Sequence, residues 1–300
     1  LIAYFDDAID QFPLMINRVF NIRNSSKAFE EFSGATGISK LIDVGENGAY
    51  VYQDELEDYL TRLTPSTWKR GIQVSKEQND DNQYRSAADR TKSLARALTR
   101  TLNSEAYSVF RNSFSTSYTS YGNAKPLIST LHPSLSGGSV RSNASATSIP
   151  LSEGNLETGL LAIREVLDHQ GELQAHLEDR YILMVPPALE KLGFEMIKSQ
   201  LKSNSQNNDV NYFEATGTFD LFINPWISAL AGGSDTAWFL VKKSNRALQF
   251  LWRENPNYRI DTDDETDALK FKVRARWQKG WLNPIGEIWG SKGTNAAYAS

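Results

Sequence analysis

Residues 247–281 read ALQFLWRENPNYRIDTDDETDALKFKVRARWQKGW. In the second half Leu269, Phe271, Val273, Ala275 and Trp277 alternate with Lys270, Lys272, Arg274 and Arg276. Successive side chains of a strand point to opposite faces, so this strand is apolar on one face and basic on the other. The ten residues from Ala268 would span about 33 Å, more than an ordinary strand. The acidic turn before it, Asp261 to Asp267, invites a comparison with a calcium loop. An EF-hand requires glycine at the sixth position and a bidentate glutamate at the twelfth. Counted from Asp261 those places hold Thr266 and Lys272, which favours a solvated turn that offsets the basic strand.

Outward from this stretch the patterning is mixed. Upstream, "GTFDLFIN", "AWFLVK" and "ALQFLW" read as strands separated by Asn/Pro and Gly/Gly/Ser turns, and "YILMV" as a short buried strand. "LSEGNLETGLLAIREVL" predicts a helix starting near Ser152, with Glu153 and Glu157 at its positive end. Pro186 and Pro187 lead into a second helix. A helix-and-sheet module over about 150–260 follows from this order. Between Tyr84 and Ser113 the period is helical and no Gly or Pro interrupts it. Such a helix is about 45 Å long at 1.5 Å per residue. Arg85, Lys92, Arg96, Arg100 and Arg111 fall together on a face turned away from its apolar stripe, either as solvated surface or to meet a polyanion.

Residues 45–77 carry Tyr50 and Tyr52, then Trp68, Ile72 and Val74, at near-strand spacing around a Thr-Pro-Ser break, which predicts a long hairpin. Its rising half holds Asp54, Glu55, Glu57 and Asp58, its falling half Arg62, Lys69 and Arg70. Those charges serve either solubility with weak cross-strand pairing or docking on a neighbour. The segment before it, to about Lys40, reads as an arm with short helical turns.

The chain has 300 residues, 40% hydrophobic and 23% charged, enough apolar matter for one large domain or two. A net charge of −4 leaves any nucleic-acid role to local patches. With no cysteine, disulfides, thiolate zinc sites and cysteine nucleophiles are excluded. No apolar run is long enough to span a membrane, and the opening "LIAYFDDAID" lacks the basic start of a signal peptide. His132, His169 and His176 have no metal-ligand spacing, and no phosphate-binding glycine motif occurs, so no metal or cofactor is expected.

Residues 129–147, "STLHPSLSGGSVRSNASAT", pose the catalytic question. A serine hydrolase needs a base, and His132 with a nearby serine is the one candidate. The strained Gly-x-Ser-x-Gly elbow is missing, and Gly/Ser/Asn/Pro clusters usually mark connectors. A small DNA-binding oligomer using the basic helix 85–111 is a third reading.

The ordered set "TKSLARALTRTLNSEAYSVFRNSF", "GNAKPLISTLHPSLSGGSVRSNASA", "LSEGNLETGLLAIRE", "YILMVPPALE" and residues 247–281 resembles the Mu-like branch of tailed-phage major capsid proteins. The resemblance implies an α+β fold of the Hong Kong 97 type. On it, 1–45 is an N-terminal arm, 46–76 an extended hairpin called the E-loop, and 77–151 a peripheral domain with a long spine helix and the connector. An axial domain at 152–262 and returning peripheral strands at 263–300 complete it. It also implies a non-enzymatic subunit of an icosahedral shell, assembled as hexamers and pentamers in the host bacterial cytoplasm and carried in the virion. Double-stranded DNA held without sequence preference, a scaffold, a portal and decoration proteins are the partners it implies. Asp54, Glu55, Glu57, Asp58, Arg62, Lys69 and Arg70 would then make contacts between subunits. Arg85, Lys92, Arg96, Arg100 and Arg111 would face the DNA.

Overall fold

The computed structural model describes residues 14–77, 84–136, 139–174, 180–201 and 210–294, with side chains of 84–88 outside the description. Two compact units emerge, one from residues 1–30, 63–107 and 249–279, the other from 31–62, 108–248 and 280–300.

The first unit is built on the stretch that opened the sequence reading. Strands β1 (Asn21–Asn24), β4 (Ser66–Val74), β8 (Leu248–Thr262) and β9 (Leu269–Trp281) form one sheet in the order β1-β8-β9-β4. β1 runs parallel to β8, and β4 is antiparallel to β9, with Trp68 opposite Ala275 and Lys69 opposite Arg274. The alternation in β9 sorts as its sequence requires: Phe271, Val273, Ala275 and Trp277 are buried, Lys272 and Arg274 exposed. Helix α1 (Tyr84–Arg111) supplies the apolar partner through Leu94, Ala95, Leu98, Leu102 and Ala106. A cavity of about 260 Å3 lined by Ala97, Leu98 and Thr101 of α1 and by Trp68, Val273 and Trp277 marks where helix meets sheet. Trp68 and Trp277 stack at 5.0 Å between centroids, and Trp252 meets Trp277 edge-on at 5.9 Å. The expected arm is partly tied in: Tyr107 Oη donates to Met15 O at 2.7 Å, and Met15 N to Asn103 Oδ1 at 3.0 Å. Phe12 of that arm lies outside the described residues.

The second unit holds a sheet of β5 (Tyr181–Val185), β6 (Phe219–Ile223), β7 (Trp238–Lys242) and β10 (Ile288–Ser291), ordered β10-β7-β5-β6. The five apolar residues of β5 leave no polar face, which suits a central strand, and all five are buried. Helices α2 (Glu153–Arg164) and α3 (Glu190–Lys198) contribute Leu156, Leu160, Ile163 and Ile197 to the core with Trp238 and Trp289. Ser152 caps α2 as its sequence predicts, its side chain accepting from Asn155 N. Gly159 lets α2 approach closely, since a Cβ there would lie 3.0 Å from the Trp289 ring. The short helix α4 (Tyr212–Thr216) lies next to β6 in the chain.

Two boundaries differ from expectation. Residues 248–262, assigned to the 152–262 module, pair instead with β1 and β9, because the backbone N–H and C=O groups of the long β9 need a pairing strand on each side. The last strand, Ile288–Ser291, joins β7 and not the long-strand sheet.

Candidate assembly surfaces

The expected hairpin exists but in a different register. β2 (Glu30–Phe32) pairs with β3 (Thr61–Leu63), and beyond them Asp58 N donates to Gly34 O at 2.8 Å and Thr36 N to Leu56 O at 2.9 Å. Ser39 N reaches Gln53 Oε1 at 3.2 Å, so the hairpin runs over 34–58 with its tip between. The 46–76 assignment fails because the Thr64-Pro65-Ser66 break is no tip. It only links β3 to β4, whose Trp68, Ile72 and Val74 find a better apolar partner in β9 than Tyr50 and Tyr52 offer. The expected halves are therefore separated. Asp54, Glu55, Glu57 and Asp58 lie on the falling arm of the hairpin, Arg62 lies in β3, 4.0 Å from Glu31, and Lys69 and Arg70 lie exposed on β4.

Asp54, Glu55 and Glu57 are exposed, whereas Asp58 is not a surface charge. Its carboxylate accepts a short hydrogen bond from Tyr121 Oη and lies 3.5 Å from His169 Nε2. Arg141 Nη2 is 3.2 Å from the same ring nitrogen. Burial, then the bond to Asp58, pushes the Tyr121 hydroxyl far above its ordinary pKa. Burial, then the Arg141 charge, pushes His169 down. Gly122, N–H donor to Thr61 Oγ1 at 3.2 Å, lies so close to Leu60 that a Cβ would sit 2.2 Å from its carbonyl oxygen. Farther along, Gln170 Nε2 donates to Gly37 O and Lys40 N to Glu172 Oε1. The base of the hairpin is thus fastened by buried polar groups. Tyr121, Arg141 and His169 were not identified as a group from sequence, since nothing local distinguishes Asp58 from the three acids before it.

Beyond those ties the hairpin exposes large apolar side chains. Leu41 is 100% exposed, Tyr50 86% and Tyr52 89%. Contiguous exposed apolar side chains of this size mark interaction surfaces.

On α1, Arg96 and Arg100 are exposed and Lys92 half-buried. Arg111 leaves the row: its Nη1 donates to Trp226 O at 3.4 Å within the second unit. The side chain of Arg85 lies outside the described residues, as does His176.

His132 is fully buried. Its Nδ1 faces Asn123 Nδ2 at 3.0 Å and its Nε2 faces Asn143 Oδ1 at 3.1 Å. Asn143 also accepts from Ser129 N and donates to Leu127 O, so the connector is folded around this histidine. Both ring nitrogens are occupied by amides, and desolvation pushes the pKa down to about 4. A general base has to reach a nucleophile, so the hydrolase reading has no site. The acidic turn is likewise accounted for, Asp261 pairing with Lys272 at 2.8 Å and Asp263 with Lys270.

Residues 59–288 match the family model described as phage capsid protein. No curated protein sequence matches the chain. Among solved structures, one from Mycobacterium phage Patience superposes with a TM-score of 0.58 at 13% identity, covering 98% of this chain and 86% of that one. The capsid of Ralstonia phage GP4 gives 0.55 at 13% identity, with 92% and 87% covered. The procapsid of bacteriophage JBD30 gives 0.51 at 13%, with 99% and 73% covered. At such identities the structures speak for the fold, and it is the family match across most of the sequence that assigns the role. That match, over residues 59–288, means that the chain belongs to the phage capsid protein family, as a structural major capsid subunit of the head shell.

Proposed function

We propose that this subunit, of the Mu-like branch, self-assembles as hexamers and pentamers into an icosahedral shell around the double-stranded DNA of a tailed phage. Assembly takes place in the host bacterial cytoplasm, with a scaffold, a portal and decoration proteins as further partners. The observation that carries this is the 34–58 hairpin, anchored at its base, whose Leu41, Tyr50 and Tyr52 are exposed and would be buried by a neighbouring copy. In this reading the hairpin is the E-loop, α1 the spine helix, and the unit around β5 the axial domain. Heterologous contacts of one kind propagate until curvature closes the structure, and many modest contacts engaged together hold it. Sedimentation of the purified chain, alone and with its scaffold, tests this. Rapidly sedimenting particles are expected, and a 33.7 kDa monomer under every assembly condition would refute it.

The exposed Arg96 and Arg100, with Lys92 beside them, are assigned to the packaged DNA. Phosphate contacts are independent of sequence and weaken with salt because they release counterions. Changing these three residues to glutamine is expected to leave shell yield intact and to lower the DNA retained by purified shells, most at low salt and by less as salt rises. Equal DNA content at every salt concentration would return the face to solvent.

A further inference from the structure

We propose that the cavity between α1 and the long-strand sheet binds a small hydroxylated aromatic carboxylate, with its rings against Trp68 and Trp277 and its carboxylate on Arg70. A small-molecule site of this kind goes beyond the shell reading and does not depend on it.

The cavity measures about 260 Å3 and lies wholly within the first unit. Ala97, Leu98 and Thr101 of α1 form one wall, and Trp68, Val273, Ala275 and Trp277 of the sheet form the other. Two of these side chains carry a donor with nothing to donate to. The indole Nε1 atoms of Trp68 and Trp277 are both buried, and no acceptor reaches either among the described residues. The hydroxyl of Thr101 donates instead to Ala97 O at 2.7 Å. Native interiors seldom leave such donors unpaired, because each forfeits a hydrogen bond that water supplies in the unfolded chain. A buried water is a poor substitute here: it needs roughly two to four polar partners, and the side chains of Ala97, Leu98, Val273 and Ala275 offer none. An oxygen carried on an apolar body meets the donors and fills the remaining space.

Size and charge narrow the ligand further. An apolar protein cavity of about 150 Å3 takes up benzene, so the larger volume here suits one ring or two fused rings, and flat rings pack favourably against indole. No acid lines the cavity. Trp68 and Arg70 lie two residues apart on β4 and so share a face. The register sets them opposite Ala275 and Val273, in the apolar row of β9. Lys69, opposite Arg274, belongs to the other face. Arg70 lines the cavity yet is exposed, which puts it at the mouth, and it has no ion pair among the described residues. Its planar guanidinium offers a carboxylate two parallel hydrogen bonds. Apolar walls, a few placed donors and one cation at the entrance are the ordinary makings of a small-molecule site.

Calorimetric titration of the unassembled full chain tests the site with three probes: hydroxynaphthoate, naphthoate, which lacks the hydroxyl, and naphthol, which lacks the carboxylate. Hydroxynaphthoate is expected to bind saturably, with half-saturation below about 1 mM, and more tightly than the other two. Arg70→Gln, an exposed change that the fold tolerates, should weaken both carboxylates about tenfold and leave naphthol within about twofold. Trp68→Phe keeps a ring and removes one N–H, and should erase the advantage of hydroxynaphthoate over naphthoate. Ala97→Phe fills the space and should abolish binding of all three, with a urea midpoint confirming that the variant is folded. Heats that do not saturate with any probe would leave the indole donors to water and overturn the proposal. Arg70→Gln weakening naphthol as much as the carboxylates, or Ala97→Phe binding as the parent does, would place the binding elsewhere and overturn it as well. Shell assembly is read separately, by sedimentation, and stands or falls independently of these outcomes.

Discussion

Trp277→Ala is expected to lower the unfolding free energy of the unassembled chain by about 3–5 kcal/mol, the usual cost of emptying a buried tryptophan site. The residue is 1% exposed, stacked on Trp68 and edge-on to Trp252. No acceptor reaches its Nε1 among the described residues, so packing alone holds the ring. The neighbouring side chains come from β4 and β8, and neither strand can shift inward to refill the space without breaking its ladder with β9 or β1. Arg274, three residues earlier on the opposite face of the same strand, provides the contrast. Its side chain is 48% exposed and paired with Glu254, and its replacement by alanine should cost no more than about 1 kcal/mol. Urea denaturation of both variants checks the pair. Equal losses would mean that the alternation in β9 does not separate a core face from a solvent face.

The second large effect is a loss of stability in mild acid. His132 is neutral when folded because burial pushes its pKa down from 6.5 to about 4. In the unfolded chain the same ring takes up a proton near pH 6.5. Between those values the unfolded state binds the extra proton, so stability is fully present above about pH 6.5 and falls as pH drops toward 4. The shift corresponds to about 3 kcal/mol at most. His169, also pushed down by burial, acts in the same sense. Glu287 acts in the opposite one, since burial pushes its carboxyl up. His132→Gln isolates the term: urea midpoints measured between pH 7 and pH 4.5 should slope less steeply in the variant than in the parent. Identical slopes would mean that the His132 ring takes up its proton at the same pH in the fold as in the unfolded chain.

How much was legible in advance depends on how local each signal is. The alternation of β9, the unbroken helix α1, the Ser152 cap and the buried run of β5 are written in consecutive residues, and each is found where its pattern puts it. The hairpin register was not, because Tyr50, Tyr52, Trp68, Ile72 and Val74 share strand spacing whether they pair with one another or elsewhere. What decides the matter is the apolar row of β9, some two hundred residues downstream, which takes β4 as its neighbour. The same competition drew Leu248–Thr262 out of the module to which its sequence position assigned it. Asp58 was read as one of four equivalent surface acids. Its difference comes from Tyr121, Arg141 and His169, brought together by tertiary structure alone. His132 carried a correct warning in the missing elbow motif, and its burial between Asn123 and Asn143 explains why a connector needs a histidine at all.

The central claim is that this chain encloses a shell by repeating one set of contacts between copies. Negative-stain electron microscopy of the purified protein under assembly conditions tests it most directly. Closed particles of uniform diameter, or five- and six-membered rings as their precursors, are the predicted result. Fields containing only isolated subunits, at every salt and protein concentration and with scaffold present, would contradict it.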